Sequence, residues 1–207
     1  MADPIDILTP EEATRAALGV DGAGQHASAI ARANTAVSER IDDLCGPVVA
    51  REVAEVHDGG HRFIWPRQAP VFEVTSLGEF DGATLTTFVD ESAFGTVGTA
   101  NGFAVVDGGH RIERRSGGGP ALFTAGAGSL ELVYLAGRFP DTESVSSKFK
   151  VAAEAILRRV WDREASAWAR ATDPFEENLQ PTSRFFRAVD PMIDEWLASE
   201  RKLPGMA

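Results

Sequence analysis

The sequence has little cysteine and no long apolar run, and each absence excludes a class of protein. The one cysteine, Cys45, excludes an internal disulfide, and its position just after Ile41 and Leu44 predicts a small buried apolar residue. No run of about 18 apolar residues occurs, so the sequence predicts no transmembrane helix. The opening segment MADPIDILTPEE is acidic and has no apolar core, so we expect no secretory signal.

Positive charge is also scarce. The chain carries 20 Lys and Arg against 31 Asp and Glu, which gives a formal net charge of −11 and a pI near 4.8. A protein that binds nucleic acid usually does so through clustered Lys and Arg side chains that contact the phosphates. The excess of acidic residues argues against such a protein. An acidic surface favours solubility. It is also compatible with a protein along which DNA passes without binding.

The sequence does contain enough apolar material for a folded core. Hydrophobic residues make up 43% of the 207 residues, so wholesale disorder is not expected. This length suits one domain, or one domain with a small insertion.

Two helices are predicted near the N-terminus. The first has Thr9 as its N-cap and Pro10 as its first helical residue, and it ends near Leu18. Thr9 and Glu12 have the spacing of a capping box. The second ends at Gly46-Pro47, which stops a helix sharply. Its apolar residues recur at helical spacing and predict one buried face: Ile30, Val37, Ile41 and Leu44.

A third and longer helix is predicted after residue 144. Asp141, Thr142 and Ser144 precede it and are the expected N-cap side chains. Its apolar residues also repeat every three or four positions, so they are expected to share a face: Phe149, Ala152, Ala153, Ile156 and Val160, with Trp161 beside them.

Between these helices the pattern changes to period two with glycine-rich turns, which predicts about six β-strands. Asp58-Gly59-Gly60 is expected to join Arg51–His57 to His61–Trp65 as a β-hairpin. Further turns are predicted at Asp81-Gly82 and at Asp107-Gly108-Gly109. Together these patterns predict an α+β fold, in which a small antiparallel β barrel or sandwich is inserted into a helical bundle.

The predicted domain organisation has three parts. Residues 1–46 and 141–170 form the helical bundle, residues 47–140 form the inserted β domain, and residues 171–207 form a C-terminal arm with a short helix. Prolines interrupt the arm repeatedly, yet it is rich in large apolar side chains, which is unusual for a disordered tail. Such an arm can dock on a partner or fold back onto its own bundle, and both interpretations stay open. The side chains that would dock are Phe185, Phe186, Met192, Ile193, Trp196 and Leu197.

No catalytic, cofactor or metal site is predicted. The motif DGGHR occurs at Asp58–Arg62 and at Asp107–Arg111, and its Asp and His could share a metal. Asp-Gly is also the expected hairpin turn, no third ligand recurs at a fixed spacing, and the turn interpretation is therefore favoured. The glycine-rich segments at Gly117 and Gly126 lack the context of a phosphate or dinucleotide loop, and no hydrolase motif is present. A hydrolase without a recognisable motif remains an alternative.

The order of these parts resembles the head-to-tail connector adaptors of long-tailed bacteriophages. The resemblance spans roughly residues 7 to 170 and rests on an ordered set of short motifs. These are Leu8-Thr9-Pro10-Glu11-Glu12-Ala13 with Leu18-Gly19-Val20-Asp21, Pro70-Val71 with Val74-Thr75-Ser76-Leu77, Asp81-Gly82 and Leu85, Val133-Tyr134-Leu135-Ala136-Gly137 with Pro140, and Ala152-Ala153 with Val160-Trp161-Asp162-Arg163.

The resemblance implies a virion structural protein without catalysis. Adaptors of this kind form a ring, expected to hold twelve copies, beneath the portal protein. The ring extends the DNA channel, through which DNA passes without specific binding, and provides the platform for the stopper, or head-completion protein, and the tail. The expected location is the virion neck, with the host cytoplasm during assembly and no membrane association. On this interpretation the apolar side chains of the arm anchor the subunit to the portal.

Two other functions remain as alternatives. Another neck or tail component, such as a stopper or tail terminator, would share the particle, but such proteins are mostly β and the three helical segments count against them. A non-viral β-domain module that binds glycan or protein would use exposed tryptophans as its platform. The candidates for that platform are Trp65, Trp161, Trp168 and Trp196.

Overall fold

The computed structural model describes residues 5–20, 22, 24–82, 84–92 and 98–170. Over these ranges the chain forms two compact units, a helical unit of residues 5–49 and 141–170 and a β unit of residues 50–140. The predicted arm of residues 171–207, with its predicted short helix and all six side chains predicted to dock, lies outside the described residues. Three helices and two largely antiparallel sheets confirm the predicted α+β class. No described helix is both long and apolar enough to cross a membrane.

The helical unit contains α1 (Pro10–Leu18), α2 (Ala27–Cys45) and α3 (Ser147–Arg170), and a 3-10 turn, Gly24–His26, precedes α2. The predicted capping box of α1 is confirmed: the Thr9 hydroxyl accepts from the Glu12 amide at 3.3 Å, and the Glu12 carboxylate accepts from the Thr9 amide at 2.9 Å. Gly19, with a φ of 70°, ends this helix, and Gly46 follows α2 with a φ of 85°.

The predicted apolar faces of α2 and α3 are buried, with some additions. Cys45 is buried as expected, whereas Leu44 is only half-buried. Leu157 extends the buried face of α3, and Trp161 is half-buried with an edge-on contact to His26 at 5.6 Å between ring centroids. Burial of these side chains supplies the main stabilising term of the unit. The helical residues of its core are Ala13, Ala17, Ile30, Val37, Ile41, Cys45, Phe149, Ala152, Ala153, Ile156, Leu157 and Val160.

Helix α3 begins after residue 144 as predicted, but its predicted N-cap side chains are wrong. The helix begins at Ser147, where the Ser146 carbonyl accepts from the amides of the next turn at 3.1 and 3.2 Å. Asp141 instead accepts from the Ser144 amide at 2.8 Å and forms a separate turn, while the Thr142 hydroxyl donates to the Asp6 carbonyl at 2.7 Å. Short polar side chains satisfy nearby backbone groups in turns as readily as at helix ends, so the pattern alone does not distinguish the two.

Buried polar groups hold the N-terminal segment against α2. The Asn34 amide donates to the Leu8 carbonyl at 3.0 Å, and the Ser38 hydroxyl accepts from the Ile7 amide at 2.9 Å. Both polar side chains are almost fully buried, so each bond is expensive to break. Neither burial is predictable from the sequence pattern, because a polar residue on a helix is exposed by default.

The β unit contains nine strands among the described residues, arranged in two sheets. Sheet 1 has the order β1-β9-β3-β4, and sheet 2 has the order β2-β7-β6-β5 with β8 beside β7. All pairings are antiparallel except that of β5 with β6. The strands are β1 (Arg51–His57), β2 (Phe63–Ile64), β3 (Val71–Asp81), β4 (Thr84–Thr87), β5 (Val89–Asp90), β6 (Gly102–Val106), β7 (Arg111–Ser116), β8 (Gly119–Pro120) and β9 (Leu130–Ala136).

Two of the three predicted turns close hairpins, and the hairpin of β1 with β2 is wrong. β3 pairs with β4 across Asp81-Gly82, and β6 pairs with β7 across Asp107-Gly108-Gly109. β1 pairs with β9 instead, and β2 pairs with β7 in the other sheet. The Asp58-Gly59-Gly60 segment is hydrogen-bonded to a later loop, with the Gly59 amide donating to the Gly126 carbonyl at 2.8 Å. Period-two patterning identifies a strand but does not identify its partner.

We expect Gly59→Ala to destabilise the β unit strongly. A Cβ at this position would lie 1.8 Å from the Thr124 carbonyl oxygen, a backbone atom that cannot move without breaking the segment's pairing. The loss should be at least about 2 kcal/mol of unfolding free energy, measured by urea denaturation. Gly119→Ala is the matched control, because its Cβ would meet nothing nearer than the Ser116 carbonyl oxygen at 3.7 Å. Equal stability of the two variants would contradict this account.

The two sheets share one hydrophobic core. Sheet 1 contributes the inward side chains of β3 and β9, sheet 2 contributes those of β2, β6 and β7, and two phenylalanines outside the strands complete it. Because alternate residues of a strand point to opposite faces, the remaining side chains of each sheet form an outer face directed away from this core. The core residues are Ile64, Val71, Leu77, Phe88, Phe103, Ile112, Phe123, Leu130, Leu132, Tyr134 and Ala136.

Candidate interaction surfaces of the β unit

The outer face of sheet 1 carries several apolar side chains. Strand register places Val56 beside Glu131 on β9 and places Phe80 directly opposite Leu85. Val56, Phe80 and Leu85 are 58%, 42% and 52% exposed, so large apolar side chains of this face stand in solvent. Leu85 also lies across Gly78, whose missing side chain leaves room for it. The apolar members of this face are Ala54, Val56, Phe80, Leu85, Val133 and Leu135.

Three carboxylates stand on the same outer face. Glu52, Glu131 and Glu73 alternate in register with the apolar residues. All three are exposed, and none forms an ion pair with another described residue. No Lys or Arg shares the face among the described strand residues, so its charge is uniformly negative. We call this surface the apolar–acidic face.

The outer face of sheet 2 has the opposite chemistry. Phe63 lies on the edge strand β2, with the guanidinium carbon of Arg111 4.4 Å and that of Arg62 5.0 Å from the ring centroid. Trp65, which is 58% exposed, meets Phe63 edge-on at 5.7 Å between centroids. Arg115 stands two residues from Glu113 on the same strand face. We call the surface formed by Arg62, Phe63, Trp65, Arg111 and Arg115 the arginine–aromatic face.

A buried carboxylate orders two of these arginines. Glu113 accepts from Arg62, and its other oxygen lies 3.3 Å from an Arg115 nitrogen. The Glu113 side chain is only 9% exposed, whereas Arg62 and Arg115 are 45% and 32% exposed. The carboxylate therefore orients the two guanidinium groups, and their outer edges remain exposed to solvent.

The two DGGHR repeats converge on this face without forming a metal site. Their arginines, Arg62 and Arg111, both approach Phe63. Their aspartates act separately: Asp58 accepts from the Gly128 amide at 2.6 Å, and Asp107 pairs with Arg111 at 2.5 Å. Within the described part of the chain, no group of three His, Cys, Asp or Glu side chains is placed to hold a metal ion.

A groove of about 320 Å³ borders the arginine–aromatic face. His57, which lines this groove, also belongs to a buried polar network centred on Glu55. The Tyr134 hydroxyl donates to Glu55 at 2.7 Å, the Arg67 backbone amide donates at 3.1 Å, and a His57 ring nitrogen lies 2.8 Å away. The groove itself is lined by His57, Asp58, His61, Phe63, Ile64 and Trp65.

The only tyrosine of the chain is held in its neutral form. Burial and the adjacent Glu55 carboxylate raise the pKa of the Tyr134 phenol above its ordinary 10.0, against the opposing Gln68 amide that donates to the hydroxyl at 3.1 Å. The folded chain therefore retains this proton more tightly than the unfolded chain. The stability contributed by Tyr134 is complete below pH 10.0 and is lost as the pH rises above it.

Alkaline titration should consequently show tyrosinate only together with unfolding. We expect tyrosinate absorbance and the loss of circular dichroism to rise at the same pH, above the ordinary pKa of 10.0. The Tyr134→Phe variant should lose stability less steeply over the same alkaline range. Tyrosinate that forms near pH 10.0 while the circular dichroism stays native would show that the phenol is not held in this way.

The structure brings together few of the residues considered from sequence. Trp65 lies on the arginine–aromatic face, Trp161 belongs to the helical unit, the side chain of Trp168 is not among those described, and Trp196 lies outside the described residues. Neither outer face is among the sites predicted from the sequence. The Asp81-Gly82 turn could have placed Phe80 opposite Leu85, but nothing in the pattern tells which face of a hairpin is exposed.

Solved structures include chains whose fold is similar to that of this protein. No protein-family model and no curated protein matches the sequence. The fold is similar to a chain in a solved structure described as the neck of an empty GTA (gene transfer agent) particle, computed with C6 symmetry. The alignment covers 100% of this chain and 97% of that chain, with a TM-score of 0.57 and 19% sequence identity. At this identity the likeness establishes a shared fold.

Proposed function

We propose that this chain is a structural protein of the neck of a phage-like particle. The observation that carries the proposal is the alignment of the whole chain, 100% of it, with 97% of a chain from the neck of a GTA particle. The likeness therefore includes both the helical and the β unit rather than one common motif. The ordered sequence motifs of residues 7–170 resemble phage connector adaptors independently of that match.

Within the neck, the proposed role is that of the adaptor ring. Twelve copies would extend the DNA channel below the portal protein and would provide the platform for the stopper and tail. The C6 symmetry of the similar particle neck is compatible with rings whose copy number is a multiple of six, which includes twelve. The predicted arm of residues 171–207 would anchor each subunit to the portal, and twelve such arms would gain affinity from multivalency.

The charge of the chain fits a subunit that meets moving DNA. A net charge of −11 per chain disfavours binding to phosphates, so DNA would pass through the ring without specific contacts. No catalytic step is proposed, and the protein would act by holding its partners in place.

The test is to locate the protein in particles. Antibodies against this chain should label the junction of head and tail, and disruption of its gene should leave DNA-filled heads and separate tails. Labelling of the tail tip or of no particle would overturn the proposal and favour the ligand-binding module. The antibodies could label the neck while heads retain this chain only when the stopper is present. That result would place the chain on the tail side of the adaptor ring.

A further inference from the structure

The two outer faces of the β unit have complementary chemistry. The apolar–acidic face presents Val56, Phe80 and Leu85 with carboxylates that have no described cation beside them. The arginine–aromatic face presents Trp65 and Phe63 with guanidinium groups whose outer edges are exposed. Apolar surface would meet apolar surface, and opposite charges would meet at its borders.

The apolar–acidic face is an unusual surface to leave in water. Phe80 and Leu85, both more than 40% exposed, stand directly opposite each other on neighbouring strands, and the exposed Val56 stands on the same face beyond Glu131. Isolated exposed apolar residues are ordinary, but a contiguous group on a regular sheet usually marks a contact with a partner. A partner for this face must bring apolar groups and positive charge, because the face already carries Glu52, Glu73 and Glu131.

The arrangement of the faces favours a second copy as that partner. Both sheets pack on one core, so their outer faces point to opposite sides of the β unit. A closed ring requires heterologous contacts, in which one face of each subunit meets a different face of the next. Two unlike and complementary faces on opposite sides of one unit meet that requirement.

We infer that consecutive subunits join through their β units, with the apolar–acidic face of one copy seated on the arginine–aromatic face of the next. This inference rests on the proposed ring-forming function and assigns its subunit contact. Leu85 and Phe80 of one copy bury against Trp65 and Phe63 of the next copy. The carboxylates at the border meet Arg62, Arg111 and Arg115, which locally offsets the repulsion between chains of net charge −11.

The test uses one blocked variant for each face. Leu85→Lys places a cation on the apolar–acidic face, where it would oppose arginines, and Trp65→Ser removes the exposed aromatic side chain of the arginine–aromatic face. Both positions are more than half exposed, so neither change touches the core. In sedimentation velocity up to about 1 mM protein, the wild type should form large assemblies and each variant alone should stay monomeric. An equimolar mixture should form a species of two chains, twice 22.1 kDa, and nothing larger.

The mixture separates the inference from simple loss of folding. Each blocked variant keeps one intact face, so only a head-to-tail contact produces a pair that stops at two chains. Val151→Lys is the control, because Val151 is an exposed apolar residue of α3, 44% exposed, and should assemble like the wild type. Melting temperatures of all variants should match that of the wild type.

Specific results would overturn the contact. These are a wild type that stays monomeric up to about 1 mM, a blocked variant that assembles like the wild type, or a mixture that does not pair. If the mixture fails to pair while antibodies still label the neck, the contact is wrong and the proposed function stands. If the mixture pairs but no particle is labelled, the contact stands and the proposed function is wrong.

Discussion

A chain truncated after Arg170 should remain folded but should no longer join particle heads. The described core lies entirely within residues 7–160, so removal of residues 171–207 takes away none of its buried side chains. The arm carries the six apolar side chains proposed to anchor the subunit to the portal. Truncation removes the arm from every subunit of the ring. The amount of this chain retained on heads should therefore fall by at least about 100-fold. Pull-down of purified heads, with a melting curve of the truncated chain, measures both outcomes.

Point variants within the arm refine this test. Trp196→Ser with Leu197→Ser should reproduce most of the loss, because large aromatic and aliphatic anchors dominate such contacts. Asn178→Ala with Gln180→Ala is the matched control in the same arm and should bind like the wild type. Undiminished binding by the truncated chain would exclude the anchor. A truncated chain that no longer melts cooperatively would instead favour an arm that folds back on its own bundle.

Glu55→Ala should cause a large loss of stability in the β unit. The Glu55 side chain is 4% exposed, and it accepts from the Tyr134 hydroxyl and the Arg67 amide and pairs with His57. Its removal leaves buried donors without an acceptor and opens a small cavity. Both effects add, so we expect a loss of about 3 kcal/mol or more in unfolding free energy. Urea denaturation at neutral pH measures this loss.

A second glutamate on the same strand provides the control. Glu52 is exposed and has no described ion-pair partner, so Glu52→Ala should change stability by about 0.5 kcal/mol or less. Tyr134→Phe should cost about 1 kcal/mol, and the double variant with Glu55→Ala should cost less than the sum, because the two side chains share one hydrogen bond. Strict additivity of the two changes would argue that the network is not coupled.

Local signals made the helices and strands predictable from the sequence. Thr9, Pro10 and Glu12 specify the start of α1 through contacts within four residues, and Gly46 ends α2 through its own backbone conformation. The Asp81-Gly82 turn likewise specifies the hairpin of β3 and β4. Where two local structures use the same residues, as at Asp141, the prediction failed because a turn and a helix cap satisfy the same backbone groups.

The interaction surfaces depend on contacts that no local pattern encodes. Alternation along β1 shows that Glu55 and Val56 point to opposite faces, but only the pairing of β1 with β9 decides which one is buried. That pairing buries Glu55 beside Tyr134, 79 residues away, and leaves Val56 in solvent. The sequence by itself therefore determined the elements, because capping and periodicity act over a few residues. The tertiary structure alone decided strand partners, the buried network and the two outer faces, because these arise from packing between distant segments.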